Sequence, residues 1–118
     1  MNIKQGDIFW VAITEQDVSS QSRPHPHVVI QDDTINQSRI ATVVTCALTT
    51  NLKRAEWPGN VLLAAGEGNL EKASVVLVSQ VQAVEKSALG AYIGTLGVER
   101  VKQILSGMRF LQAMLERS

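Results

Sequence analysis

The sequence lacks the residues from which several common kinds of site are built. It contains a single cysteine, Cys46, so no disulfide can form within the chain and a reducing compartment fits. Cys46 lies in an apolar run, which predicts a buried thiol that behaves as a small hydrophobic side chain. Lys and Arg balance Asp and Glu at 11 each, so no net charge attracts a polyanion from a distance. These features exclude a disulfide scaffold and count against a broad basic surface, although a groove with a few cations stays open.

Long apolar runs are absent as well. No segment approaches the roughly 18 apolar residues of a transmembrane helix, and residues 1–7 lack the apolar stretch of a signal peptide. The sequence contains no zinc-type Cys/His spacing, no Gly-rich phosphate loop and no nucleophile elbow. With 118 residues, of which 45% are hydrophobic, the chain is long enough for one modest core. We therefore expect a single domain over residues 1–118, soluble and cytoplasmic, without a cofactor.

Short strands separated by turns are predicted for the first three quarters of the chain. Turn signals occur at Pro58-Gly59-Asn60 and at residues 66–69. The candidate strands, rich in β-branched residues, are 7–13, 25–31, 40–46, 61–64, 74–78 and 81–84. Five or six strands at this spacing predict a small antiparallel barrel or sandwich.

The hydrophobic period changes to that of a helix at the end of the chain. The apolar residues that share one face are Val101, Ile104, Leu105, Met108, Leu111 and Leu115. We expect this helix to cap the barrel. Gly107 lies within it at a cost of about 1 kcal/mol relative to Ala, and a glycine there permits a close packing contact.

The segment from Arg23 to His27 is the first candidate site. Arg23, His25 and His27 would share one face of an extended chain, and the two intervening prolines favour an edge or a loop mouth. A guanidinium binds phosphate oxygens, and an imidazole, with an ordinary pKa of about 6.5, can take or give a proton near neutral pH. Such a set suits phosphodiester transesterification. The alternatives are a solvated strand surface or, with a third ligand such as Asp32 or Asp33, a metal site.

The second candidate site is Leu48-Thr49-Thr50-Asn51, after the third predicted strand. Hydroxyl groups at a strand exit can hold a phosphate oxygen, or they can complete a turn by bonding to the nearby backbone. Trp10 and Trp57 are open to two interpretations, because each could stack on a base or belong to the core or a dimer interface.

Several segments, in the same order along the chain, resemble the MazF/PemK toxins. Two strands of the family are resembled by the opening strand Gln5–Val11 and the second strand Pro26–Asp33. The third strand and the Leu-Thr-Ser/Thr-Asn loop of the family are resembled by residues 40–52, which contain Leu-Thr-Thr-Asn. The Pro58-Gly59-Asn60-Val61 turn continues the match, which extends through residues 74–81 and 86–96 to the helix. The resemblance thus covers nearly the whole chain.

The resemblance implies a mainly β fold, a small SH3-like barrel of the CcdB/PemK type with a C-terminal helix. It also implies a homodimer, a neutralising antitoxin protein, and metal-independent cleavage of single-stranded RNA that leaves a cyclic phosphate and a 5′-hydroxyl. The family's catalytic threonine maps to Thr49. Its catalytic arginine maps to His25, and Arg23 lies two residues earlier, so either residue could fill that role.

The resemblance therefore assigns Arg23, His25 and Thr49 as catalytic residues, and the candidate substrate-binding residues are His27, Thr50, Asn51 and Gln80. Two family carboxylates are missing, since Val18-Ser19-Ser20 stands where the family often has Gly-Ser-Glu and Ala73 where it often has Asp. Two other functions stay open, the first because of these missing carboxylates and the displaced arginine, and the second because CcdB has the same fold. One is a catalytically degenerate binding module. The other is a gyrase inhibitor like CcdB, although residues 115–118 of this chain do not resemble the C-terminal end of CcdB.

Overall fold

A computed structural model describes residues 2–12 and 24–117 of the chain. The regular elements are β1 (Asp7–Val11), β2 (His25–Val29), α1 (Asp33–Asn36), β3 (Thr42–Thr49), β4 (Val61–Leu63), β5 (Ser74–Glu85), β6 (Leu89–Thr95) and α2 (Val98–Glu116). Short 3-10 turns occur at Leu52–Glu56, Glu67–Asn69 and Lys86–Ala88.

The six strands form one antiparallel sheet in the order β4-β5-β3-β2-β1-β6. Irregularities in register interrupt the pairing of β1 with β6 and of β3 with β5, and such bulges increase the local bend and twist of a sheet. This barrel-like sheet with a C-terminal helix confirms the fold expected from the resemblance.

Hydrophobic residues form two clusters, because side chains alternate between the faces of each strand. The larger cluster includes Ile8, Val28 and Leu48 and is covered by α2, whose Ile104 is fully buried. The smaller cluster includes Phe9, Val11 and Val29 from the same strands. Cys46 belongs to the larger cluster and is fully buried, as predicted. Its thiol donates to the carbonyl of Leu77, and burial raises the pKa of the Cys46 thiol to about 12.

The helix α2 confirms the predicted apolar stripe and extends three residues further toward the N-terminus. Gly107 packs against the turn at Gly59, so closely that a Cβ at position 107 would overlap the carbonyl oxygen of Gly59. Gly59 itself has a φ of 89°, which favours glycine. The predicted close contact at Gly107 is therefore confirmed. No helix among the described residues has the length and apolar character needed to cross a membrane.

The strand predictions were wrong in three places. Residues 74–78 and 81–84 belong to one strand, β5, in which residues 79–83 are exposed, so the polar Ser79-Gln80 pair resembled a turn. The strand β6 was missed because it contains Gly90 and Gly94 and is mostly exposed. The strand β3 extends to Thr49, so Leu48 and Thr49 are strand residues rather than loop residues.

Candidate active site

A cavity of about 540 Å³ lies at one end of the barrel-like sheet, where β1 and β3 end and β2 and β5 begin. Adjacent antiparallel strands bring these ends together, because one strand ends where its neighbour starts. The residues that line the cavity are Trp10, Pro24, His25, Pro26, Leu48, Thr49, Thr50, Asn69, Leu70, Glu71, Lys72, Ser74, Tyr92 and Ile93. Three predicted site residues, His25, Thr49 and Thr50, are among them.

The register of β2 and β3 explains why His25 and Thr49 come together. His27 is paired with Ala47, and the strands are antiparallel. The same register continued by two residues would place His25 opposite Thr49, on the same face of the sheet. His25 is exposed and Thr49 is half-buried, so an imidazole and a hydroxyl are both available to a molecule in the cavity.

Thr49 also organises the turn that follows it. Its Oγ1 accepts a hydrogen bond from the backbone N–H of Asn51, at 3.1 Å. The Asn51 side chain in turn accepts from the N–H of Lys53 and caps the 3-10 turn Leu52–Glu56. The predicted roles of Thr49 therefore coexist, since a hydroxyl that accepts a hydrogen bond from the backbone can still donate to another acceptor. Asn51 has the turn-forming role and does not line the cavity.

His27 lies in the interior of the protein and not in the cavity. Its side chain is 5% exposed, and its Nδ1 is 2.9 Å from Thr45 Oγ1. Burial, and secondarily the neighbouring His25, lower the pKa of His27 to about 4, so the ring is neutral at physiological pH. The alternation that places His25 and His27 on one face is correct, but only His25 lies where the sheet is open. This placement argues against the predicted contact between His27 and a substrate.

Gln80 and Arg23 are the remaining predicted residues. Gln80 is exposed on β5 and does not line the cavity. Arg23 lies outside the described residues, although the next residue, Pro24, lines the cavity.

The cavity contains functional groups to which sequence reasoning gave no role. Lys72 supplies an ammonium group and Glu71 a carboxylate, in the segment before β5. Glu71 is two residues from Ala73, the position where the family often has Asp, and that proximity was an available signal. Trp10 and Tyr92 are 42% and 58% exposed. Trp10 thus lies at the cavity and not in the core, and Tyr92 was missed together with its strand.

A metal site would need several ligating side chains close together. Across residues 2–12 and 24–117, no three His, Cys, Asp or Glu side chains are grouped so that they could hold a metal ion. Asp32 caps α1 by accepting from the N–H of Thr34, and Asp33 accepts from the N–H of Gln5. Both suggested partners of the histidines therefore have structural hydrogen bonds.

The fold and the cavity define a small barrel-like protein with an imidazole, hydroxyl groups and a cation at one open end. Residues 4–111 match the family model of the PemK-like, MazF-like toxins of type II toxin–antitoxin systems. The chain belongs to this family. It is similar to the endoribonuclease MazF2 of Mycobacterium bovis and to the endoribonuclease MazF6 of Mycobacterium tuberculosis. Each is 32% identical over 109 residues, covering 92% of this chain and 96% of the relative.

Solved structures share the fold at lower sequence identity. A MazE–MazF crystal structure from Deinococcus radiodurans has a TM-score of 0.77 at 19% identity, covering 97% of this chain and 98% of that one. A mycobacterial endoribonuclease in complex with its cognate antitoxin has a TM-score of 0.75 at 18% identity, covering 94% and 95% of the two chains.

Proposed function

We propose that this toxin is an endoribonuclease that cleaves single-stranded RNA without a metal ion, at the cavity formed by His25 and Thr49. The single observation that supports the site most strongly is that His25 and Thr49, which map to the family's two catalytic positions, line one cavity from neighbouring strands. The family membership and the endoribonuclease relatives support the activity.

The proposed reaction is an attack by the 2′-oxygen of a nucleotide on its own 3′-phosphorus. His25, in its neutral form, takes the 2′-hydroxyl proton as the new bond to phosphorus forms. The bond from phosphorus to the 5′-oxygen then breaks, and that oxygen takes up a proton from water or from a cavity side chain. The products are a cyclic phosphate and a 5′-hydroxyl.

The remaining groups would hold the phosphate. The Thr49 hydroxyl donates to a non-bridging oxygen, and Thr50 contacts the adjacent backbone. Lys72 supplies the positive charge that stabilises the phosphorane. Arg23 adds to that charge if it reaches the same phosphate, which stays a prediction from the sequence. Glu71 is the one carboxylate among the described lining residues and, in its protonated form, a candidate donor of the proton to the 5′-oxygen.

We also propose a homodimer and a neutralising antitoxin as partners, with mRNA in the cytoplasm as the substrate. The antitoxin is supported by family membership and by the related mycobacterial endoribonuclease that was solved in complex with its cognate antitoxin. The antitoxin is testable by co-expression of the toxin with a small acidic protein encoded next to it. That protein should co-purify with the toxin and suppress cleavage.

The test of the enzyme is cleavage of a long single-stranded RNA in the presence of EDTA, with product ends mapped. Wild-type protein should cut at discrete positions and leave cyclic phosphate and 5′-hydroxyl ends. Thr49→Val and His25→Ala should each lower kcat by about 100-fold or more, because each removes a group that acts on the reacting phosphate. The contributions of the charged groups to kcat are then compared with three further variants, Arg23→Ala, Lys72→Ala and Glu71→Gln.

Thr42→Val is the matched control for Thr49→Val, since Thr42 is at the opposite end of the same strand and does not line the cavity. It should retain activity. Undiminished cleavage by Thr49→Val would contradict the proposed site. Wild-type protein that binds but never cuts RNA would instead indicate a degenerate binding module, and trapped gyrase–DNA complexes would indicate the CcdB-like function.

A further inference from the structure

Tyr92 combines exposure with rigidity. Its side chain is 58% exposed, yet its ring is fixed edge-on against Phe9, with the centroids 5.7 Å apart and the planes at 63°. Its hydroxyl is hydrogen-bonded to Thr95 Oγ1. Thr95 donates its only hydroxyl proton to Asp7 Oδ1, at 2.7 Å, so Tyr92 must be the donor to Thr95.

This chain of hydrogen bonds ends in the interior. Asp7 is 7% exposed, and its other carboxylate oxygen accepts from the backbone N–H of Lys4, at 2.9 Å. The ring is therefore held at its edge by Phe9 and at its hydroxyl by Thr95, while more than half of its surface is free. An exposed side chain normally keeps its rotamer freedom. Tyr92 loses that conformational entropy although little of its surface is buried. A ring that is ordered before a ligand arrives loses little further entropy on binding.

The position of Tyr92 relates it directly to the proposed catalytic residues. Tyr92 is paired with Phe9, and Phe9 with His27, so these three side chains lie in one row on one face of the sheet. His25 lies one same-face step further along β2. Two strand spacings put the Cα of Tyr92 about 10 Å from that of His27. Tyr92, His25 and Thr49 all line the same cavity.

We propose that Tyr92 is a stacking platform for one RNA base, in a nucleotide adjacent to the phosphate held by His25 and Thr49. This inference rests on the proposed function. A flat preordered ring in a cavity that is also lined by a cation and hydroxyl groups matches a nucleotide, whose base stacks while its phosphate is neutralised. Trp10 also lines the cavity, from the opposite face of β1 relative to Phe9. The role is assigned to Tyr92 because its ring is the one held by Phe9 and by Thr95.

The test uses binding by proteins that carry Thr49→Val, so that the RNA stays intact. The probe is a fluorescent single-stranded RNA that spans one mapped cleavage position, together with copies in which one base at a time is removed. Tyr92→Leu, which keeps apolar bulk over Phe9, should weaken binding of the intact RNA about tenfold. Tyr92→Phe keeps the ring and should recover most of that affinity.

The decisive result is whether the affinity lost on removing a base and the affinity lost in Tyr92→Leu add up. One abasic position, within two nucleotides of the scissile phosphate, should weaken binding by Tyr92-containing protein about tenfold but add no further loss in Tyr92→Leu. Equal abasic losses in both proteins at every position would overturn the inference. Ile40→Ala removes an exposed apolar side chain away from the cavity and should bind within about twofold of the parent, as expected for a distant surface change.

Further measurements separate this inference from the proposed function. Thermal unfolding of Tyr92→Leu should be cooperative, which establishes that its altered binding reflects the site. In the cleavage-competent protein, Tyr92→Leu should raise KM more than it lowers kcat. Unchanged KM in Tyr92→Leu, with cleavage abolished by Thr49→Val, would overturn the role of Tyr92 and leave the enzyme intact. A wild-type protein that neither binds nor cuts RNA would overturn both.

Discussion

The two histidines have the same side-chain type and lie two residues apart, but their surroundings give them different chemistry. His25 is exposed at the open end of the sheet, whereas His27 is buried next to Thr45. The sequence placed both on one face, which is correct for a strand. It could not show that only His27 is buried, because burial depends on strands distant in the sequence.

The buried histidine should make folding stability depend on pH. In the unfolded chain the pKa of His27 is near its ordinary 6.5, and in the folded protein it falls to about 4. The unfolded state therefore binds more protons between these values. Stability contributed by neutral His27 is present above about pH 6.5 and is lost as pH falls toward about 4, by about 3 kcal/mol. Urea unfolding midpoints measured from pH 7 to pH 4 would test this.

His27→Gln should flatten the pH dependence in that window, leaving the part that arises from carboxylates. His25→Gln is the matched control, and it should retain most of the slope because His25 is exposed. If wild-type protein and His27→Gln lost stability in parallel, protonation of His27 would not be the cause.

Among the elements, α2 is held in place by a close backbone contact and by an ion pair. Gly107 meets the Gly59 turn, while Arg100 binds Glu67 through Nε–Oε1 at 2.8 Å and Nη2–Oε2 at 2.9 Å. That ion pair lowers the pKa of Glu67, mainly through the hydrogen bonds from Arg100. The apolar period predicted the helix, but no periodic pattern could identify the turn it touches.

Gly107→Ala should therefore destabilise the protein by about 1–3 kcal/mol, the usual cost of overpacking. The sign is informative, because the same change in an exposed helix would stabilise it by about 1 kcal/mol. Ser106→Ala, an exposed neighbour on α2, should change stability by no more than about 0.5 kcal/mol. Denaturant unfolding of the three proteins would test this, and a stabilised Gly107→Ala would contradict the packing described here.

For the whole molecule, the balanced charge predicts a weak salt dependence of RNA binding. The described part of the cavity lining contains one Lys or Arg, namely Lys72, and the chain carries no net charge. With two or three phosphates neutralised, the logarithm of the binding constant should fall with the logarithm of salt concentration with a slope of about −1.4 to −2.1. Titrations of Thr49→Val with a single-stranded RNA at several salt concentrations would measure it.

Lys72→Ala should make that slope less steep by about 0.7, the contribution of one phosphate contact to a single strand. Lys102→Ala, on the exposed surface of α2 and outside the cavity lining, should leave it unchanged. A slope steeper than about −5 would mean that the RNA follows a cationic surface well beyond the cavity.

The sequence by itself determined the family, the mainly β class, the C-terminal helix and the identity of Thr49 and His25 as candidate residues. Those features are encoded locally, in side-chain periods and in short segments that occur in a fixed order. The tertiary structure decided the burial of His27, the gathering of Glu71, Lys72 and Tyr92 around one cavity, and the fixed ring of Tyr92. These features depend on the ends of antiparallel strands, which are distant in the sequence and meet in space. Strand β6, which carries Tyr92, also has too little hydrophobic periodicity to be predicted from the sequence.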